Sequence, residues 1–265
     1  MQFVIFVNSS FAYDVQWADM NYYAGAQVGG SDWVETSDQG ASAEAIDGDY
    51  DWGWARTDDM HYEAEAGSEY SWNARALSLS YGQMIVTDGA DGSEILSNLT
   101  GALNGYLYGE FEGDGYFQSN VGTGIYVYDE TDHPDFQDLI DAVKNGEDVP
   151  NPIWSWNEGG FFSQLSSDDA SEDGQDWYLE RDIDFMHSDL VSIVTGKPYY
   201  VFAGLGADAY SEYYYGYAYA ESYFSGSSFD VSITQASSAV PEPASMALLG
   251  LGLAGLVRIR KNRKA

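Results

Sequence analysis

No cysteine occurs in the 265 residues, so no disulfide holds this chain together. A body of more than 200 residues can stand on its own hydrophobic core, and the absence does not separate one compartment from another. Basic residues are also scarce: ten Lys and Arg face 43 Asp and Glu, a formal charge of −33. Five of those ten, Arg258, Arg260, Lys261, Arg263 and Lys264, crowd into the last eight positions. The stretch 13–240 is left with 42 acids against Arg56, Arg75, Lys144, Arg181 and Lys197, a charge of −37. Such a body is repelled by phosphate backbones and anionic headgroups, so nucleic acid is not expected among its partners.

The signatures of catalysis are missing as well. His61, His133 and His187 stand alone, with no His-Glu-x-x-His pattern, Gly-x-Ser-x-Gly elbow or phosphate-cradling loop. Gly196-Lys197-Pro198 lacks the hydroxyl and the preceding glycine and reads as a turn. Gly250, Gly252 and Gly255 are spaced like a dinucleotide-binding loop, but that loop needs an acidic residue about 20 positions on, and ten residues follow here. With so many carboxylates an acid pair can be drawn anywhere, which makes it uninformative. An enzyme is not expected, and a secreted hydrolase stands as the third reading.

Aromatic residues are what the chain has in plenty: 22 Tyr, 12 Phe and 8 Trp. They supply enough apolar area to set this acidic chain apart from a disordered one. Residues 13–235 read mostly as strands. Alternating runs include Tyr62–Ala66, Ala76–Ser80, Tyr106–Phe111, Gly124–Tyr128 and Trp177–Ile183. Tyr199–Ala203, Tyr213–Tyr223 and Phe229–Ile233 read as three successive strands, the middle one as a hairpin. Turns are expected at Asp88-Gly89, Asp91-Gly92 and Asp114-Gly115. One helix is expected, capped by Asp132, with Pro134 in its first turn and Phe136, Leu139, Ile140 and Val143 on one face. Lys144 and Gly146 close it. Many short strands with one helix predict an all-β sandwich, jelly-roll-like, in which the helix covers an open end of a sheet.

Two binding chemistries are legible. Asp47, Asp49 and Asp51 alternate before Gly53, and Asp58 lies eleven residues after Asp47, a spacing near that of an EF-hand loop. The glycine falls one place late and Asp58 replaces the bidentate Glu, so calcium is a weak candidate and no cofactor is expected. A second acidic run extends from Asp168 to Asp176. Trp52, Trp54, Trp72, Trp154 and Trp156, with the tyrosines, would stack on pyranose rings if they lie exposed on a sheet face. That makes a carbohydrate-binding module the second reading.

The termini speak of export. Residues 3–7 are apolar, and Ser10 and Ala12 stand at the −3 and −1 places of a small-x-small cleavage site. Residues 1–12 thus read as a signal-peptide remnant, its basic n-region expected upstream of Met1. Residues 237–265 hold Pro241-Glu242-Pro243, the uncharged run 244–257 and a basic tail, 258–265. Fourteen helical residues span about 21 Å, short of the roughly 30 Å hydrocarbon core. Snorkelling Arg and Lys and local bilayer thinning make up the difference, and the basic end stays cytoplasmic.

This tail resembles the PEP-CTERM sorting signal, carried here by Pro241, Glu242, Pro243, the Leu/Gly/Ala run through Val257, and Arg258 with Arg260. The resemblance implies export through the inner membrane, a transient membrane helix at 244–257, and processing by an exosortase near the motif. It further implies a final place at the cell surface or in the extracellular matrix, in association with exopolysaccharide or biofilm. The leading expectation is a non-enzymatic surface protein with one acidic ectodomain, residues 13–236.

Overall fold

Strand periodicity dominates the computed structural model, which describes residues 14–38, 40–47, 51–58, 61–69, 73–87, 91–150, 152–155, 162–166 and 177–232. Among the described residues, eleven strands and one helix follow in chain order. They are β1 (Asp14–Val28), β2 (Val34–Thr36), β3 (Ala41–Asp47), β4 (Asp51–Asp58), β5 (His61–Glu69), β6 (Asn73–Thr87) and β7 (Glu94–Asp129). After them come α1 (Phe136–Asn145), β8 (Trp154–Ser155), β9 (Phe162–Ser166), β10 (Trp177–Val194) and β11 (Pro198–Ser232).

All ladders are antiparallel, and β7 and β11 form the spine, paired from Tyr199↔Asp129 to Ser232↔Asn98. The first part of β11 also pairs β6, which pairs β1, while its second part pairs β5, which pairs β4 and then β3. On the other side, β10 pairs the first part of β7, and β9 and β8 pair the second. The spine therefore belongs to two layers. One holds β2, β1, β6, β8 and β9, the other β3, β4, β5 and β10. In place of the eight strands of a jelly roll, two strands of 35 and 36 residues run through both layers.

The layers fold onto one another at a bend in the spine. Asp114-Gly115, expected as a turn, lies within β7. Gly113 takes a left-handed φ of 87°, and the register shifts opposite it between Tyr213 and Tyr215, so the ribbon bends without ending. The three strands expected between residues 199 and 233 are likewise one, β11, interrupted by two register shifts. Phe117 turns back over Gly109, where a Cβ would stand 2.1 Å from its ring. The hydroxyl of Ser119 donates to the Tyr108 carbonyl at 2.6 Å.

Alanine lines the interface between the layers. Ala24, Ala26, Ala74 and Ala76 on one side and Ala43, Ala45, Ala55, Ala64 and Ala66 on the other are buried in one core. A Cβ on Gly53 would lie 2.7 Å from the Arg75 carbonyl oxygen, so here the layers approach more closely than the usual ~10 Å. Hydroxyls bridge the gap. Thr57 of β4 donates to the Tyr23 carbonyl of β1 at 2.8 Å, and Tyr62 lies 2.5 Å from the Ser80 hydroxyl.

Helix α1 begins at Phe136 with Asp135 as its N-cap, three residues later than the expected Asp132. Asp132 instead bridges to Asp129, and the Pro134 carbonyl accepts from the Tyr81 hydroxyl at 2.8 Å, which holds this segment outside the helix. Gly146 ends it as expected, left-handed at φ 68°, and the Glu147 amide donates to the Ala142 carbonyl. Leu139 and Ile140 are buried against Tyr23, Leu77, Leu79, Tyr81 and Phe202. The helix covers a sheet face, not an open end, because these partners alternate outward along paired strands.

Candidate functional site

The outward face of the β3–β4–β5 layer carries a ribbon of aromatic rings set among carboxylates. Strand alternation builds it. In β7, Leu107, Gly109 and Phe111 turn to the core while Tyr106, Tyr108, Glu110 and Glu112 turn out. In β10, Tyr178, Glu180 and Asp182 turn out on either side of the core residue Ile183 and half-buried Leu179. The registers then align unlike residues. Glu69, Tyr219, Glu110 and Tyr178 make one cross-strand row. Trp52, Gly67, Glu221, Tyr108 and Glu180 make the next.

Rings meet along the diagonal of this checkerboard. Trp52 lies 6.0 Å from Tyr219, Tyr219 5.6 Å from Tyr108, and Tyr108 5.2 Å from Tyr178, centroid to centroid. Four strands thus contribute one continuous aromatic track. Trp52 lies over Gly67, where a Cβ would fall 2.2 Å from the indole, so one ring face rests on the sheet. Its Nε1–H donates to Glu65 at 2.9 Å. Ile46, directly across from Trp52, is 61% exposed and extends the apolar edge.

Each tyrosine of the track is held by a carboxylate. The Tyr108 hydroxyl donates to Glu110 at 2.6 Å, Tyr178 to Glu180 at 2.5 Å and Tyr219 to Glu221 at 2.7 Å; Tyr106 also donates to Glu221. These bonds fix the rings and leave the remaining carboxylate lone pairs as acceptors. Burial raises the Glu65 pKa, opposed by the Trp52 hydrogen bond and reinforced by the Glu221 charge. The Glu180 bond pushes the Tyr178 phenol upward.

A cavity of about 260 Å³ lies on the opposite layer, between β6, β7, β11 and α1. Leu77, Leu79, Phe202 and Val143 line it above Gly122, Gly124, Gly204 and Gly206. Its one cation, Arg75, is already engaged by Asp208 at 2.7 Å, by the Lys144 carbonyl at 2.6 Å and by the Trp33 ring at 5.3 Å. That guanidinium clamps the end of α1 to the sheet and leaves the cavity short of free polar groups.

Other expected residues fall apart in space. Asp47 and Asp51 face each other at the β3–β4 hairpin, whereas Asp58 closes the far end of β4, paired with His61; Asp49 lies outside the described residues. Asp51 is buried and accepts from the Glu69 amide at 2.9 Å, and burial raises its pKa. Asp47, Asp51 and Asp58 therefore do not converge, and among the described residues no group of three or more His, Asp or Glu could hold a metal ion. The run 168–176, Trp72 and Trp156 lie outside the described residues, and so does the His187 side chain. His61 sits beside Glu63 and His133 stacks on Tyr200 at 3.7 Å. Trp154 packs against the core, so of the five tryptophans singled out by sequence, Trp52 joins the track. Sequence reasoning missed Tyr108, Tyr178 and Tyr219 as partners, since the registers that unite them are long-range.

Residues 239–264 match the family model of the PEP-CTERM protein-sorting motif. The chain carries a PEP-CTERM sorting tail. Pro241, Glu242 and Pro243 fall within the match, as do Arg258, Arg260, Lys261, Arg263 and Lys264. The motif implies export, a transient membrane anchor and processing by an exosortase, a membrane enzyme. These residues, the expected membrane helix 244–257 and the signal remnant 1–12 lie outside the described residues, among which no helix is long and apolar enough to cross a membrane. No curated protein and no solved structure matches the chain.

Proposed function

We propose that this PEP-CTERM protein is a non-enzymatic component of the cell surface or extracellular matrix whose aromatic face binds polysaccharide. The observation that carries the reading is the track Trp52–Tyr219–Tyr108–Tyr178, a line of rings crossing four strands on one outward face. The C–H face of a pyranose is apolar and stacks on such rings, while its hydroxyls donate to the carboxylates between them. The tyrosine–carboxylate bonds hold these groups in place on the sheet and so lower the ordering cost of binding. No cofactor enters the reading. Among the described residues the two carboxylates that burial pushes up in pKa, Asp51 and Glu65, point to opposite faces of one layer and do not form an acid pair, which supports binding over hydrolysis.

A panel of soluble polysaccharides tests it by affinity electrophoresis of the full chain. Retardation by at least one polymer, lost in Trp52→Ala, is expected. Free migration through every polymer would refute the proposal.

A further inference from the structure

Resting on that polysaccharide-binding reading, we infer that the polymer this face takes bears free amines: a chain of amino sugars with unacetylated nitrogen. Charge complementarity argues for it. Between and beside the four rings stand Glu65, Glu69, Glu110, Glu180 and Glu221, placed there by the register of five strands. The tyrosine hydroxyls are committed as donors to these carboxylates, so the face offers acceptors and ring faces and few free donors. Among the described residues strand alternation turns one cation, Arg56, to this face, at the far end of β4 and 3.7 Å from Asp58, while exposed Arg181 of β10 pairs with core-facing Leu107. A uronate or sulfated polymer meets repulsion at every step along the track. A sugar ammonium gains twice, from a charge-assisted hydrogen bond to a carboxylate and from the quadrupole of the neighbouring ring. A neutral polymer's hydroxyls also donate to these carboxylates, but they bring no opposite charge and no attraction to the ring quadrupole.

The test is binding of the full chain to a β-1,4-linked glucosamine polymer before and after N-acetylation, with a uronate polymer and polylysine alongside. The amine polymer should bind, and acetylation should weaken it roughly tenfold or more, the scale of one hydrogen bond to a charged group. Trp52→Ala and Tyr178→Ala should each weaken it while leaving polylysine binding unchanged. Tyr178 is 58% exposed, so its loss leaves the core intact. Equal affinity for the acetylated and free polymers would overturn the amine inference and leave the polysaccharide reading standing. Binding to no sugar polymer would end both. Variants that bind the amine polymer as the parent does would show generic attraction between opposite charges, and the inference would fall.

Discussion

The indole of Trp52 fills the space that a side chain at position 67 would need. Gly67 stands directly across the β4–β5 ladder, and a Cβ there would come within 2.2 Å of the ring. The glycine therefore sets the pose of the tryptophan, and through it the near end of the aromatic track. Tyr219 leans on that indole at 6.0 Å, and Tyr108 and Tyr178 follow in turn.

Gly67→Val should accordingly abolish polymer binding while leaving the fold in place. The valine lifts the indole off the sheet and breaks its bond to Glu65, yet Trp52 is half-exposed and its displacement opens no large cavity. Gly67 is buried beneath the ring, so a destabilisation of about 1–3 kcal/mol is expected, the range for overpacking. Polymer retardation and tryptophan fluorescence check it together, and undiminished binding would remove Trp52 from the site.

Gly109 governs the bend in the same manner, from inside. The ring of Phe117 is fully buried and would meet a Cβ on Gly109 at 2.1 Å. Gly109→Ala should destabilise by about 1–3 kcal/mol, the range for overpacking a filled core. A shift of the urea midpoint at constant slope is the expected reading.

Local signals were legible in the sequence where they needed only a few residues. The alternation of Tyr62–Ala66 and Ala76–Ser80 yields β5 and β6, and Gly146 closes α1. The start of α1 is not legible because Asp132, Pro134 and Asp135 carry the same local signals, and a tertiary bond from Tyr81 to Pro134 decides between them. Glycine and aspartate at 113–115 read as a turn because bending and turning need the same permissive backbone. Only the pairing of β7 with β11 shows that the strand continues. The proposed binding face is half legible. Trp52 stands out by residue type, but its alliance with Tyr178 rests on four ladders, two of them joining residues more than 100 positions apart.

Asp51 should leave a mark on the pH dependence of stability. Burial raises its pKa in the folded chain, against bonds from the Glu69 amide and Ser68. As pH rises from below the usual carboxylate value, the unfolded state ionises first and gains. Stability attributable to this group therefore falls until pH passes the folded pKa, then stays level. Asp51→Asn keeps an acceptor for the Glu69 amide and removes the ionisation. Denaturation across about pH 4–8 should show a flatter profile and a higher neutral-pH stability than the parent. Parallel profiles for the two proteins would show that Asp51 titrates alike in both states.

Removal of the tail has an electrostatic consequence. Residues 1–243 hold all 43 acids and five of the ten bases, so cleavage after Pro243 takes the charge from −33 to −38. The tail thus carries half the basic residues of the chain, the arrangement expected to hold the end of a transient anchor in the cytoplasm. Once they are gone, the five remaining bases are outweighed by 43 acids, and the body is repelled by an anionic headgroup surface. In the host strain, intact mass should show a protein lacking everything after about Pro243, and native electrophoresis should show faster migration to the anode. In a strain without its exosortase, the full-length chain should persist in the membrane fraction. Retention of the tail in both strains would make it a permanent anchor, and the aromatic face would then serve a polymer held against the cell.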